Sequence, residues 1–291
     1  VALSLYGGRP TMEEHRVLRA VQPHIIICTP GRLNDHLQKG NLCMARSIAL
    51  VIDEFDKCLE LGFRKEMQHA YELLPRRTKQ TLLSATDAAE LPDFAGNAYL
   101  RLDHLKGEAR AIDLFRVDSP EKDKIDTLYH LLCSTRGELA IVFVGYRESA
   151  DRVVALLKQK GVTAGVMHGA MEQRDRERAL YMFANSSRPV LVSTDLAARG
   201  LDISEVKHII HYHLPQTAEI MVHRNGRTAR WDASGAAYLI VGPTEHLPEF
   251  ATQAQPFTPK SNGRLTPSPW VTIYIGKGKK DNISRKDVVG F

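Results

Sequence analysis

Val51-Ile52-Asp53-Glu54-Phe55-Asp56 is the stretch from which the fold can be read. After Leu50, two apolar β-formers run straight into three carboxylates within four residues. The pattern predicts a buried strand whose acids stand at the carboxyl edge of a sheet, where open α/β sheets bind ligands. Adjacent acids at such an edge suit a division of labour. One holds Mg²⁺ on a nucleotide and the next polarises an attacking water. The same residues also fit a strand running into a solvated acidic turn, and the stretch alone leaves both readings open.

Outward from this point, each short polar motif follows a strand-like run. Ile25-Ile26-Ile27-Cys28 precedes Thr29-Pro30-Gly31-Arg32, and Gln80-Thr81-Leu82-Leu83 precedes Ser84-Ala85-Thr86. Helical spacing fills 33–37 and 63–74. Strands alternating with helices predict a parallel, doubly wound sheet. A polar break over 103–110 reads as an interdomain linker, after which the alternation restarts. Helices are predicted over 123–132, 148–160 and 171–183, and strands over 139–144, 162–167, 190–193, 208–211 and 236–241. The expected domains are 1–105, the carboxyl-terminal part of a first α/β domain, and 106–254, a second of similar build. A Pro-rich linker follows at 255–269. Residues 270–291 read as the start of a further domain: a strand with period-two alternation over 270–275, a basic turn at Gly276-Lys277-Gly278-Lys279-Lys280, and a helix capped by Ser284 with Asp287 three residues on.

The 291 residues leave room for two domains, and 43% hydrophobic with 25% charged residues is ordinary globular composition. The net charge of +5 is unevenly placed, because the seven Lys/Arg and two Asp from Lys260 onward carry all of it. A neutral body with a basic tail points to an appended polyanion contact; a solubilising tail is the plain alternative. None of Cys28, Cys43, Cys58 and Cys133 forms a CxxC pair, so neither a zinc site nor a disulfide framework is indicated. Cys28, ending an apolar run, reads as a core residue. A reducing, cytoplasmic setting is expected, and no apolar run approaches membrane-spanning length. The chain opens on strand-like residues from Val1 with no cap before them, and it is expected to be a fragment lacking its amino-terminal part.

Asp53-Glu54-Phe55-Asp56, Ser84-Ala85-Thr86, Ser193-Thr194-Asp195-Leu196-Ala197-Ala198-Arg199-Gly200-Leu201-Asp202-Ile203 and His223-Arg224-Asn225-Gly226-Arg227-Thr228-Ala229-Arg230 occur in that order. Together they resemble the signature set of the DEAD-box RNA helicases, over about Leu5 to Val241. The resemblance implies two RecA-like domains, the first incomplete, with ATP and Mg²⁺ as cofactors, RNA as partner and a monomeric state. It implies that Asp53 holds Mg²⁺, that Glu54 positions or activates the attacking water beside the metal, and that Asp56 bridges to Ser84 or Thr86. His223 would link to the acidic cluster. Asp195 would join the RNA track to the ATP site, and Gly200 and Asp202 would contact the nucleotide. Arg227 and Arg230 would be the arginine fingers, supplying planar, bidentate donors to the developing γ-phosphate charge. Phe55 replaces the usual Ala, while Asn225, Ala229 and Trp231 depart from the family pattern in ways that bear on fine geometry. Taken singly, Ser-Ala-Thr would be a helix cap and 193–203 an Asp-containing turn.

RNA contacts are implied for Gly7 and Gly8, for Thr29, Pro30, Gly31 and Arg32, for His168, Gly169, Gln173 and Arg176, and for Thr194. A helix amino terminus with one Arg suits a phosphate, and glycines permit close backbone approach. Residues 270–289 resemble the opening of the small RRM-like domain attached to bacterial DbpA-type helicases, which implies a ribosomal RNA partner and a place in ribosome assembly. Lys277, Lys279 and Lys280 would then meet RNA backbone, and Trp270 and Tyr274 either stack on bases or belong to a core. No G-x-x-x-x-G-K-[ST] occurs in the chain, nor does the family's adenine-reading Gln segment. The expectation is therefore an ATP-dependent RNA helicase that opens short duplexes by domain closure, of which this chain alone is inactive. A non-enzymatic RNA-binding module is the rival reading. A DNA helicase is a weaker third, since the DEAD-type motif and the tail favour RNA by analogy.

Overall fold

Short strands that each run into a helix can pair only in parallel, because the helix carries the chain back to the starting edge. The computed structural model describes residues 1–8, 11–84, 91–96, 99–103, 112–198, 206–228, 235–260, 263–276 and 278–289. The chain divides into two compact units, Val1–Ala109 and Arg110–Phe291. Among the described residues no helix is long and apolar enough to cross a membrane.

The first unit runs β1 (Ala2–Leu5), α1 (Thr11–Ala20), β2 (Ile25–Cys28), α2 (Pro30–Gln38), β3 (Ala49–Ile52), α3 (Phe55–Glu60), α4 (Arg64–Glu72) and β4 (Lys79–Leu82). β1 pairs with β2 in parallel, Leu5 opposite Cys28, and β3 pairs with β4 likewise, Ile52 opposite Leu82. Among the described residues these are two separate two-stranded ladders. The expectation of a buried strand at Val51 is corrected here. Val51 is 59% exposed, as is Ile25, and Ile27 is 61% exposed. Side chains alternate between faces, and a two-stranded ladder covers little of its second face. Cys28 is half-buried and stands outside the core clusters, and burial pushes its thiol up to about 11.

The second unit runs β5 (Ile112–Asp118), α5 (Ile125–Ser134), β6 (Ala140–Val144), α6 (Arg147–Gln159), β7 (Ala164–Met167), α7 (Gln173–Ala184), β8 (Val190–Thr194), α8 (Asp195–Ala198), β9 (His208–His211), α9 (Ala218–Asn225), β10 (Gly235–Val241), β11 (Gln255–Pro256) and α10 (Arg285–Val289). Seven described strands form one parallel sheet in the order β11-β5-β10-β9-β6-β8-β7. β6 is buried at every position because both of its faces are covered. Ala140, Val142 and Val144 join Leu128, Leu131, Val153 and Leu157 on one side. Ile141 and Phe143 join Phe183, Leu191 and Ile209 on the other.

The strand predicted over 270–275 is not formed, which is a second correction. Its alternation marks two faces, but a strand also needs a ladder partner, and this segment is held by side chains at α7 and the turn after it. Ser268 Oγ donates to Ser186 O at 2.6 Å, and Asn185 Nδ2 donates to Thr272 Oγ1 at 3.0 Å. Arg174 Nη2 donates to the Tyr274 hydroxyl at 3.2 Å, and Arg178 lies over the same ring. Trp270 and Tyr274 are both exposed, so neither is a core residue in this arrangement. The cap predicted for the last helix is present: the Asp287 carboxylate accepts from the Ser284 N–H and from its Oγ, each at 2.7 Å.

Leu131→Ala, which empties a fully buried position of the second unit, is expected to lower its stability by about 2–5 kcal/mol. Val51→Thr, on the open face, is expected to change stability by less than about 0.5 kcal/mol. Urea unfolding followed by amide exchange in β6 and β3 reads the two effects separately.

Candidate functional site

The acidic turn is built by a backbone reversal. Asp53 follows the last residue of β3, and Glu54 then enters the left-handed region at φ 47°, ψ 46°. A non-glycine residue there costs on the order of 1–3 kcal/mol and persists only where its surroundings hold it. Those surroundings are visible. The Phe55 N–H donates to Leu83 O at 3.1 Å, and Cys58 N–H to Glu54 O at 3.0 Å. Phe55, Asp56 and Lys57 are all buried. The large Phe55 side chain is thus accommodated out of solvent. Asp53 stays exposed, with its Oδ1 accepting the Glu54 N–H at 3.0 Å, and Glu54 is half-buried. The bond from Phe55 to Leu83 fastens the end of β4, and with it half-buried Ser84, to the start of α3.

A Mg²⁺ carried by a nucleotide uses one or two carboxylates and completes its shell with phosphate oxygens and water. Asp53 and Glu54 fit that donor set. Among the described residues no cluster of three or more His, Cys, Asp or Glu side chains forms a metal cage.

The second glycine turn of the first unit has the conformation its residue requires: Gly8 sits at φ 85°. A side chain at Gly7 would meet nothing within 4 Å. Thr29 takes the N-cap position of α2 without using its hydroxyl as a cap, and Pro30 starts the helix. The first-turn N–H groups, those of Gly31 and Arg32, therefore have no carbonyl partner within their own helix. Arg32 itself is turned onto its own chain, bonding Tyr6 O and Thr11 Oγ1.

In the second unit His168 is 8% exposed, with Nε2 3.3 Å from Asp151 Oδ1. Arg176 donates to His168 O and Gly169 O, both at 3.4 Å, and Gln173 donates to Glu177 Oε1 at 3.2 Å. Thr194 ends β8 and Asp195 begins α8. Asp195 receives two hydrogen bonds from Arg224, Nε at 2.5 Å and Nη2 at 2.9 Å. Arg224 is 4% exposed, donates to His213 O at 2.8 Å and lies over the Phe143 ring. Arg227, three residues on and just beyond α9, is half-buried, with Nε donating to His223 O at 3.3 Å. The two arginines are thereby separated: Arg224 is a buried tie between α8 and α9, and Arg227 reaches the surface.

Thr86, Gly200, Asp202, Arg230 and Lys277 lie outside the described residues. Lys279 and Lys280 fall in a short 3-10 turn, where Lys280 is exposed.

Sequence reasoning missed a polar crevice of about 320 Å³ at the carboxyl edge of the second sheet, lined by Lys122, Lys124, Arg152, Tyr212, His213 and Glu245 among others. Its charges are largely spent on one another. Lys124 Nζ bonds Glu245 Oε2 at 2.7 Å, and Arg152 pairs with Asp123. Burial lowers the Lys124 pKa and raises that of Tyr212 to about 12. These pairings join residues far apart in sequence, and no local pattern announces them.

His211 carries a pH consequence. It is 0% exposed, and burial, with the Arg224 charge beside it, pushes its pKa down to about 3. The unfolded chain takes up a proton at this residue below about pH 6.5, while the folded chain resists until about 3. The stability it contributes is therefore complete above about 6.5 and is lost as pH falls, by up to about 1.4 kcal/mol per pH unit. Urea titrations at pH 7.5 and 5.0 are expected to show this loss in the second unit, and His211→Gln is expected to flatten it.

Residues 1–94 match the family described as DEAD/DEAH box helicase, and residues 123–232 match the helicase conserved C-terminal domain. ATP-dependent RNA helicase DbpA of Escherichia coli K12 is 34% identical over 304 residues, covering 99% of this chain and 65% of that protein. DEAD-box ATP-dependent RNA helicase CshA of Bacillus licheniformis is 36% identical over 248 residues, covering 84% of this chain and 51% of that protein. Among solved structures, Mss116p bound to ssRNA and AMP-PNP has a TM-score of 0.72 at 26% identity, covering 84% of this chain and 53% of that one. The chain thus spans 51% and 65% of the lengths of these two curated relatives. By its ordered motifs, its two α/β units and these matches, the chain belongs to the DEAD-box ATP-dependent RNA helicase family.

Proposed function

We propose that this chain supplies the metal-holding and water-activating acids, the two arginine fingers and most of the RNA-gripping turns of an ATP-dependent RNA helicase that opens short duplexes by domain closure. The observation that carries the reading is the acidic turn, where exposed Asp53 and half-buried Glu54 are held at the carboxyl edge of β3 by a left-handed backbone. Asp53 would hold Mg²⁺ on ATP, and bound Mg²⁺ supplies charge neutralisation at the phosphates. Glu54 orients the water. Arg227, with Arg230 beside it in sequence, meets the charge that develops on the γ-phosphate. Asp56, Ser84, Thr86, His223 and Asp195 couple these groups to the RNA track, and Gly200 and Asp202 face the nucleotide.

The RNA is gripped through phosphate and sugar, so sequence preference is low. The first unit offers glycine and helix-terminus amides at Gly7, Gly8 and Gly31, with the Thr29 hydroxyl beside them, while the Thr29 N–H itself donates to Leu5 O. The second offers His168, Gly169, Gln173, Arg176 and Thr194, with the basic tail at Lys277–Lys280 as an added contact. Ribosomal RNA as substrate, action as a monomer and a cytoplasmic setting are parts of the same proposal. The relatives DbpA and CshA are ATP-dependent RNA helicases by name, and the Mss116p structure holds ssRNA and AMP-PNP, which supports the reading.

In a protein that joins this chain to a phosphate-binding Gly-rich loop, Arg227→Ala is expected to lower RNA-stimulated ATP turnover by about 10³-fold or more, with RNA affinity held within about twofold. Unchanged turnover sinks the finger assignment. The second reading, an RNA-binding module without turnover, is favoured for the isolated chain by the absence of a G-x-x-x-x-G-K-[ST] sequence. RNA-stimulated hydrolysis by the 291-residue chain itself decides against it.

A further inference from the structure

The arginine of the Thr29–Arg32 turn is committed inward. Its Nε and Nη2 donate to Tyr6 O, the carbonyl just before Gly7-Gly8, at 3.3 and 3.2 Å, and Nη1 donates to Thr11 Oγ1 at 2.8 Å. Behind it stands Glu14 of α1, 7% exposed, whose Oε2 lies 3.4 Å from Arg32 Nε. The same oxygen lies 2.9 Å from Nε2 of His36, on α2 and 0% exposed. Asn41 Nδ2 lies 3.4 Å from His36 Nδ1 and 2.9 Å from His15 Nε2. An amide nitrogen only donates, so His36 Nδ1 accepts and its Nε2 carries the hydrogen directed at Glu14. A carboxylate this far from water persists only when paired and hydrogen-bonded. Here both partners come from α2, so the buried acid of α1 ties the two helices at the point where the two turns meet.

We propose that Glu14 and His36 are positioning residues for the RNA-gripping turns of the first unit, and that Arg32 is the clamp joining them instead of a phosphate contact. The inference rests on the RNA reading above and sharpens it. Through Tyr6 O, Arg32 fixes the entry to Gly7-Gly8, and through its own backbone it fixes the amino terminus of α2. The groups that meet phosphate in this unit are then neutral backbone N–H donors, held in register by a buried charged cluster.

The salt dependence of binding separates the two roles. A side-chain cation that neutralises a phosphate releases a counterion, and a backbone N–H does not. The test measures binding of a single-stranded RNA oligonucleotide to the full chain over a salt series, for wild type, Arg32→Gln, Glu14→Ala and Glu14→Gln. Amide exchange without RNA is followed in parallel. Arg32→Gln and Glu14→Ala are each expected to weaken RNA binding by about tenfold, with the slope of log K against log salt unchanged in Arg32→Gln. Glu14→Gln keeps an acceptor for Arg32 and His36 and is expected to bind within about twofold of wild type. Exchange at Thr29 and Leu33, whose N–H groups donate to Leu5 O and Thr29 O, is expected to rise by about tenfold or more in Arg32→Gln and Glu14→Ala, while protection of β3 is kept.

A slope that falls by about 0.7 in Arg32→Gln, the signature of one lost single-strand phosphate contact, overturns the clamp. So does unchanged exchange at Thr29 and Leu33, or a loss in Glu14→Gln as large as in Glu14→Ala. If Glu14→Ala also loses β3 protection, the first unit has unfolded, and the Arg32→Gln and Glu14→Gln arms decide. Wild type that fails to bind RNA counts against the RNA reading, and the exchange arm then decides the clamp by itself.

Discussion

Parallel pairing requires a helix after each strand, and the turn between strand and helix becomes the one place where polar side chains can gather without entering a core. Asp53 and Glu54 leave β3 there, Thr29 leaves β2, and Thr194 and Asp195 pass from β8 into α8. In the second unit this requirement is met by a sheet buried on both faces, so that β6 is apolar at each position and rigid enough to support turns at its edge. The first unit meets it with two smaller ladders, whose open faces leave Val51, Ile25 and Ile27 in solvent.

Several arginines among the described residues serve the backbone. Arg32 holds Tyr6 O, Arg176 holds His168 O and Gly169 O, and Arg224 holds His213 O. The first two fasten carbonyls beside turns to which the family resemblance gives a role. Arg224 shows the energetic side. Its pairing with Asp195 is almost fully dry at the arginine end, and a buried charge stripped of its partner is far more damaging than the intact pair is stabilising. Burial, with the same guanidinium beside it, keeps His211 from protonating, so packing and electrostatics at the base of α9 act together.

Where the sequence was informative, a local period or an ordered motif carried the information. The apolar run at 139–144 became β6, and the placement of Asp53 beside a strand end held, because both depend on neighbours in the chain. Burial of Val51 was misjudged because alternation tells which residues share a face and not what covers it. Residues 270–275 were misjudged for a related reason: the pattern of a strand is local, but its partner is not. Asp195 and Arg224 stand 29 positions apart, and Glu14 and His36 stand 22 apart. One of two adjacent Glu on one helix and a His on the next look like ordinary surface residues until the helices are packed together.

Glu54 combines two demands that favour different residues. Its backbone sits where glycine is at ease, and its side chain is the carboxylate beside Asp53. Exchanging it for glycine would relieve the turn and remove the acid in one step. A library of variants enriched only for heat resistance would drift toward glycine at this codon, and one enriched for turnover would drift away from it. The identity of residue 54 thus records which pressure the chain has answered to.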